Sequence, residues 1–141
     1  MFADLNEILT KTIGVRKSNK GLPYASEVSR NISSALRALG HPARVVRWQM
    51  NEELGRGVGD AIARAKYIEV LDMRFFTYLE FGPMFFENTT GREQRKEIVY
   101  HEIAHVVDCW NGAKRLGHGK SWKALMKQVG MPAKTTYNLK G

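Results

Sequence analysis

The stretch REQRKEIVYHEIAHVVDCWNG, residues 92–112, decides how the chain is read. Val99, Ile103, Val106, Val107 and Trp110 recur at i, i+4, i+7, i+8 and i+11, which predicts a helix with one buried face. Asn111-Gly112 supplies its stop signal. His101-Glu102-Ile103-Ala104-His105 lies inside it and has the form HExxH. His101 and His105 are four apart and rise from one face about 6 Å from each other along the axis, so both imidazoles can reach one ion. Glu102 lies about 100° round the helix from His101 and can hold a water on that ion and take its proton. The spacing thus expects an apolar face toward the core and a separate chemical face toward a cleft.

A catalytic zinc needs three protein ligands and an open position. His118, in Gly117-His118-Gly119, is the natural third ligand, with flanking glycines free to swing the imidazole back over the helix. Cys109 lies about 12 Å along the helix from His101, too far to share its ion. Asp108 is better placed as an acceptor for an imidazole N–H, and His41 reads as a loop residue. A metzincin would carry glycine and histidine where Asp108 and Asn111 stand.

Outward from this helix, residues 2–13 and 24–39 have helical spacing, and Gly40 closes the second. Residues 43–50, 58–65 and 67–71 read as three strands, with Gly55, Gly57 and Gly59 marking the turn into the second. Residues 73–79 read as a short helix and 81–90 as a loop around Gly82-Pro83. After a loop at 113–119, a last helix over 120–129 turns Trp122, Leu125, Met126 and Val129 inward. Helices, a few strands, then helices argue an α+β class in a single domain over 1–141.

The composition bounds the function. The chain has 141 residues, 43% hydrophobic and 26% charged, as a globular domain does. No apolar run approaches the ~20 residues that span a bilayer, and acids stand where a signal peptide carries bases. One cysteine leaves no disulfide framework or Cys-rich zinc ribbon, and the expected compartment is the cytoplasm. The net charge of +8 is uneven: residues 109–141 hold seven bases and no acid, whereas 51–108 are net acidic. That surplus suggests an anionic partner, nucleic acid first, with a merely solvated face as the plain alternative. Lys114, Arg115, Lys120, Lys123 and Lys127 are the candidate phosphate contacts.

HEIAH followed by GHGKSWKALMKQVGMPAKTTY resembles the SprT-like metallopeptidases, a family with a bacterial SprT branch and a eukaryotic Spartan branch. The resemblance runs over residues 54–137. It implies a zincin-like, gluzincin-type domain with a small three-stranded sheet packed on helices. It implies one zinc ion on His101, His105 and His118, with Glu102 as general base of a peptide hydrolase. It also implies DNA association in the Spartan branch, single- or double-stranded, although the family's Cys-rich ribbon has no counterpart here. Tyr137 is the candidate electrophile for the tetrahedral intermediate, with a packed aromatic as the alternative. A protein or peptide substrate would add to an edge strand, expected at residues 67–71. The domain is expected to act as a monomer. The competing class is a non-catalytic DNA-binding domain whose metal is structural. Such sites are closed by four protein ligands, and three convincing ones exist here.

Overall fold

The computed structural model describes residues 19, 21–55, 61–137 and 139. The helix expected over 2–13 and part of the glycine turn before residue 60 lie outside these residues. The elements run α1 (Ala25–Ala38), β1 (Trp48–Met50), β2 (Ala63–Val70), β3 (Met73–Phe81), α2 (Pro83–Glu87), α3 (Arg92–Trp110) and α4 (Lys120–Gln128). The class is α+β with a three-stranded sheet, as the residue pattern implies, but the strands are differently drawn.

The first expected strand survives only at its end, as Trp48–Met50, because a short parallel pairing to β3 is all it makes. The second and third merge into β2, which pairs antiparallel with β3 in the order β1-β3-β2 and so leaves β2 at an edge. The expected helix over 73–79 is instead most of β3. Its Phe-Phe-Thr-Tyr run suits a half-buried pleated surface better than a helix. The hairpin turn that joins β2 to β3 is Leu71-Asp72, both left-handed at φ 50° and 62°. That is the backbone of a two-residue primed turn without its usual Asn-Gly signature. Opposite Lys66 and Tyr67, β3 carries one residue too many, Thr77, whose hydroxyl donates to the Lys66 carbonyl at 2.8 Å. This bulge resets the faces of the hairpin. The expected loop over 81–90 holds the short helix α2, which begins at Pro83 in the first turn, where a missing N–H costs nothing.

The helix α3 has its expected span, but its burial is not one-sided. Ile98, Val99, Ile103, Val106 and Val107 enter the main core with Leu79 and Phe81 of β3 and with Val28, Ile32, Ala35 and Leu36 of α1. Ala104 meets Trp122 and Met126 of α4 on another side. His101, Glu102 and Asp108 are buried as well. The helix is therefore enclosed by the sheet, α1 and α4 together, and the expected split into an apolar and a wet face gives way to burial nearly all round. Its first turn is anchored by Arg95, whose Nε and Nη2 donate to the two carboxylate oxygens of Glu27 in α1 at 2.7 and 3.1 Å. Tyr24 stacks under the same guanidinium at 3.7 Å. Both α3 and α4 end in a left-handed glycine, Gly112 and Gly130. The paired bonds Ala113 N–H to Asp108 carbonyl and Met131 N–H to Met126 carbonyl cap the free helix ends. Among the described residues, no helix is long and apolar enough to cross a membrane.

Candidate metal centre

Two ligand candidates and the acid come from the enclosed middle of α3, so their backbone is fixed by packing on three sides. The third comes from the loop between α3 and α4. The imidazoles of His101, His105 and His118 turn toward one point: His101 Nε2 lies 3.2 Å from His105 Nε2 and 3.1 Å from His118 Nε2. All three ligand atoms lie within 4.8 Å of one another, a group able to hold a metal ion. The Glu102 carboxylate stands 3.8 Å from His101 Nε2, on the same side. Neither Gly117 nor Gly119 is left-handed, and a Cβ at either would meet open space. The expected glycine swing is thus not what places His118.

Trp122 forms the platform behind the cluster. It is fully buried, with ring centroids 4.8, 5.3 and 4.6 Å from His101, His105 and His118. Its Nε1 donates to the His101 carbonyl at 3.2 Å. It packs α4 onto α3, as expected, and in doing so touches all three imidazoles.

Burial sets the protonation of the site. It lowers His101 to about 4, helped by the charge of His118 and opposed by the Lys134 carbonyl. It lowers His105 to about 3, helped by His101 and His118. His118 is lowered by burial and then by the nearby Lys123 ammonium. Burial also pushes Glu102 up to about 8. At neutral pH the side chains alone thus offer three uncharged imidazoles beside a protonated carboxyl. A divalent cation among them would reverse the preference of the acid, since it favours the carboxylate.

The cluster opens onto a cleft of about 720 Å³. One wall is the start of β2 with Tyr67, the floor is α3, and the other wall is the tail at Thr135, Thr136, Tyr137 and Leu139. Burial raises the phenols of both Tyr67 and Tyr137, with Glu102 among the charges that add to it. Tyr67 sits in the expected edge strand, but nothing in the sequence marked its side chain as a wall of the site. Tyr137 meets His101 at the ring nitrogen that does not face the other two histidines: its hydroxyl is 3.4 Å from His101 Nδ1 and donates to the Glu97 carbonyl at 3.4 Å.

Other expected residues fall apart from this centre. The acceptor beside His101 Nδ1 is the Lys134 carbonyl at 3.1 Å, not Asp108, which lies two turns or about 10 Å along the helix. Asp108 Oδ2 is buried with no hydrogen-bond partner. Cys109 directs its thiol to the Arg74 carbonyl, and His41 packs against Trp110 with ring centroids 5.4 Å apart. Lys114, Arg115, Lys120, Lys123 and Lys127 are all exposed; Lys123 is the one whose charge reaches a candidate ligand.

Compared with known proteins, the chain matches the model of the SprT-like family over residues 26–140. Searches of curated proteins and of solved structures return no match.

Proposed function

The chain belongs to the SprT-like family, and from that premise we propose that it is a zinc-dependent endopeptidase. The observation that carries the proposal is the meeting of three imidazole Nε2 atoms beside the Glu102 carboxylate at the floor of an open cleft. A tetrahedral ion held at zinc–imidazole distances sets its ligand nitrogens about 3.3 Å apart. The two His101 separations, 3.1 and 3.2 Å, support such an ion. An all-imidazole set suits zinc, and three ligands leave a fourth position for substrate or water.

In this reading His101, His105 and His118 hold the ion. When bound, it supplies a Lewis acid that polarises a carbonyl and acidifies a water. Glu102 accepts the proton of the attacking water and delivers it to the leaving amine. Its buried position keeps bulk water from competing for that proton. The free edge of β2, which forms one wall of the cleft, pairs with an extended substrate backbone. Glu102→Gln tests the assignment. It should keep stoichiometric zinc and lose cleavage of an unfolded protein such as casein; cleavage at the wild-type rate removes Glu102 as the base. His118→Ala should lower the metal content of the purified protein, and unchanged stoichiometry removes His118 from the ligand set.

A second reading, action on proteins bound to DNA, has one observation in its favour. Lys123, on the exposed basic face of α4, stands close enough to His118, a lining residue of the cleft, to lower its proton affinity. DNA affinity that falls steeply with salt, and a shallower slope after charge removal at Lys120, Lys123 and Lys127, would support it. DNA binding without any peptide cleavage by the zinc-loaded protein would instead favour the non-catalytic alternative.

A further inference from the structure

We infer that the segment after α4, residues 131–137, is a positioning strap for His101, and that the Lys134 carbonyl fixes the tautomer in which this histidine binds metal. The inference rests on the reading of the three histidines as a metal site and assigns work to a stretch that supplies none of the ligands.

The strap is set by the end of α4. Gly130, left-handed at φ 71°, turns the chain, and Pro132 keeps it from continuing as helix. The segment then runs back across α3 at Glu97 and His101. There it brings two polar atoms to the back of His101: the Lys134 carbonyl oxygen at 3.1 Å from Nδ1 and the Tyr137 hydroxyl at 3.4 Å. A carbonyl oxygen can only accept. An unprotonated Nδ1 at 3.1 Å would face it lone pair to lone pair, so the proton of the neutral ring belongs on Nδ1. Nε2 is then left with its lone pair directed at His105 and His118, as a metal ligand requires. The Tyr137 hydroxyl fits the same arrangement. It donates to the Glu97 carbonyl at 3.4 Å, which leaves its oxygen free to share the Nδ1 proton as a second acceptor. The Lys134 side chain adds only an exposed ion pair to Glu97 at 3.5 Å, an interaction worth little. Tyr137 on this view is a positioning residue that acts through His101 Nδ1.

The test uses the full chain with ¹⁵N-labelled histidine. In metal-free protein at neutral pH, long-range ¹H–¹⁵N spectra should show His101 protonated at Nδ1, with a proton that exchanges slowly. Protonation at Nε2 overturns the inference, and this answer needs no metal. Three variants then read zinc affinity by chelator competition. Replacing the Lys134–Thr135 amide by an ester weakens the carbonyl as acceptor and keeps every side chain; affinity should fall about tenfold or more. Tyr137→Phe should cost less than the ester and retain the Nδ1 proton. Lys134→Ala, which keeps the carbonyl, should leave affinity within twofold. An ester variant that binds zinc as tightly as wild type, or a Lys134→Ala loss equal to that of the ester, overturns the role of the carbonyl. Failure of wild-type protein to bind zinc defeats the proposed metal centre instead, whatever the tautomer.

Discussion

Trp122→Phe separates packing from metal positioning. The indole is fully buried, touches all three imidazoles and donates to the His101 carbonyl at 3.2 Å. Phenylalanine keeps one aromatic ring and removes the N–H and the second ring. The lost hydrogen bond costs about 1 kcal/mol, because the carbonyl keeps its helical partner. The void adds about 1–2 kcal/mol. Metal-free protein should therefore lose about 2–3 kcal/mol, a fall of roughly 6–9 °C in Tm. Packing alone would impose the same loss with zinc bound. If the indole also aligns the ligands, zinc should bind about tenfold more weakly, the lower end of the effect of groups that orient metal ligands. Stabilisation by zinc at fixed free concentration then shrinks by a further 1.4 kcal/mol or so. Urea unfolding with chelator and at fixed free zinc measures both terms. Equal losses in the two conditions would refute the positioning role and leave Trp122 as core filling.

Three further predictions follow from the fold and its titration. In metal-free protein, His101 and His105 fold with pKa values of about 4 and 3, below the unfolded 6.5, so their contribution is present above about pH 6.5 and lost as pH falls toward 4. Glu102 acts oppositely: raised from 4.5 to about 8, it contributes below pH 4.5 and loses that contribution as pH rises to 8. Chelated wild type should thus melt highest near pH 6.5, and Glu102→Gln should flatten the decline between pH 6.5 and 8; a slope unchanged by that substitution places its origin elsewhere. Arg95→Met should cost about 3 kcal/mol in urea unfolding by leaving Glu27 unpaired in a site where the pair is 9% and 15% exposed. Adding Glu27→Leu should recover most of the loss, and a double variant no better than the single one contradicts the reading. Leu71→Asn with Asp72→Gly should stabilise the hairpin by about 1–2 kcal/mol in thermal melts, because both positions are left-handed and Leu71, 92% exposed, buries nothing.

What the sequence disclosed of the site was its side-chain chemistry at helical spacing. His101, Glu102 and His105 fall within five consecutive positions of local geometry, and the helix that holds them was legible from Val99 through Trp110. His118 could be reached because few histidines compete for the role. Legibility failed where tertiary pairing decides. Residues 73–79 carry no alternation until the bulge at Thr77 is known, and Leu71-Asp72 hides a turn that Asn-Gly would have announced. The strap failed for a different reason: its contact with His101 is a backbone carbonyl, which every residue type carries. Tyr67 became part of the cleft only once β2 was placed at the edge of the sheet beside α3.

The enclosure of α3 bears on how the site can work. A helix with one wet face could offer HExxH to solvent, but its carboxylate would then titrate as an ordinary surface acid. Here α4 sets Trp122 against the histidines and the strap covers His101, while α1 and the sheet hold the helix from the other sides. Burial makes the imidazoles poor bases toward protons and the carboxyl reluctant to ionise without a cation beside it. On the proposed reading, the same burial ties the charge state of Glu102 to metal occupancy: the base is ready only when the ion is present. It follows that the acid-free stretch after residue 108 contributes more than positive charge. On the reading of the three histidines as a metal site, that stretch carries the third ligand, the indole platform and the carbonyl behind His101, and it also carries Lys123, whose charge reaches His118.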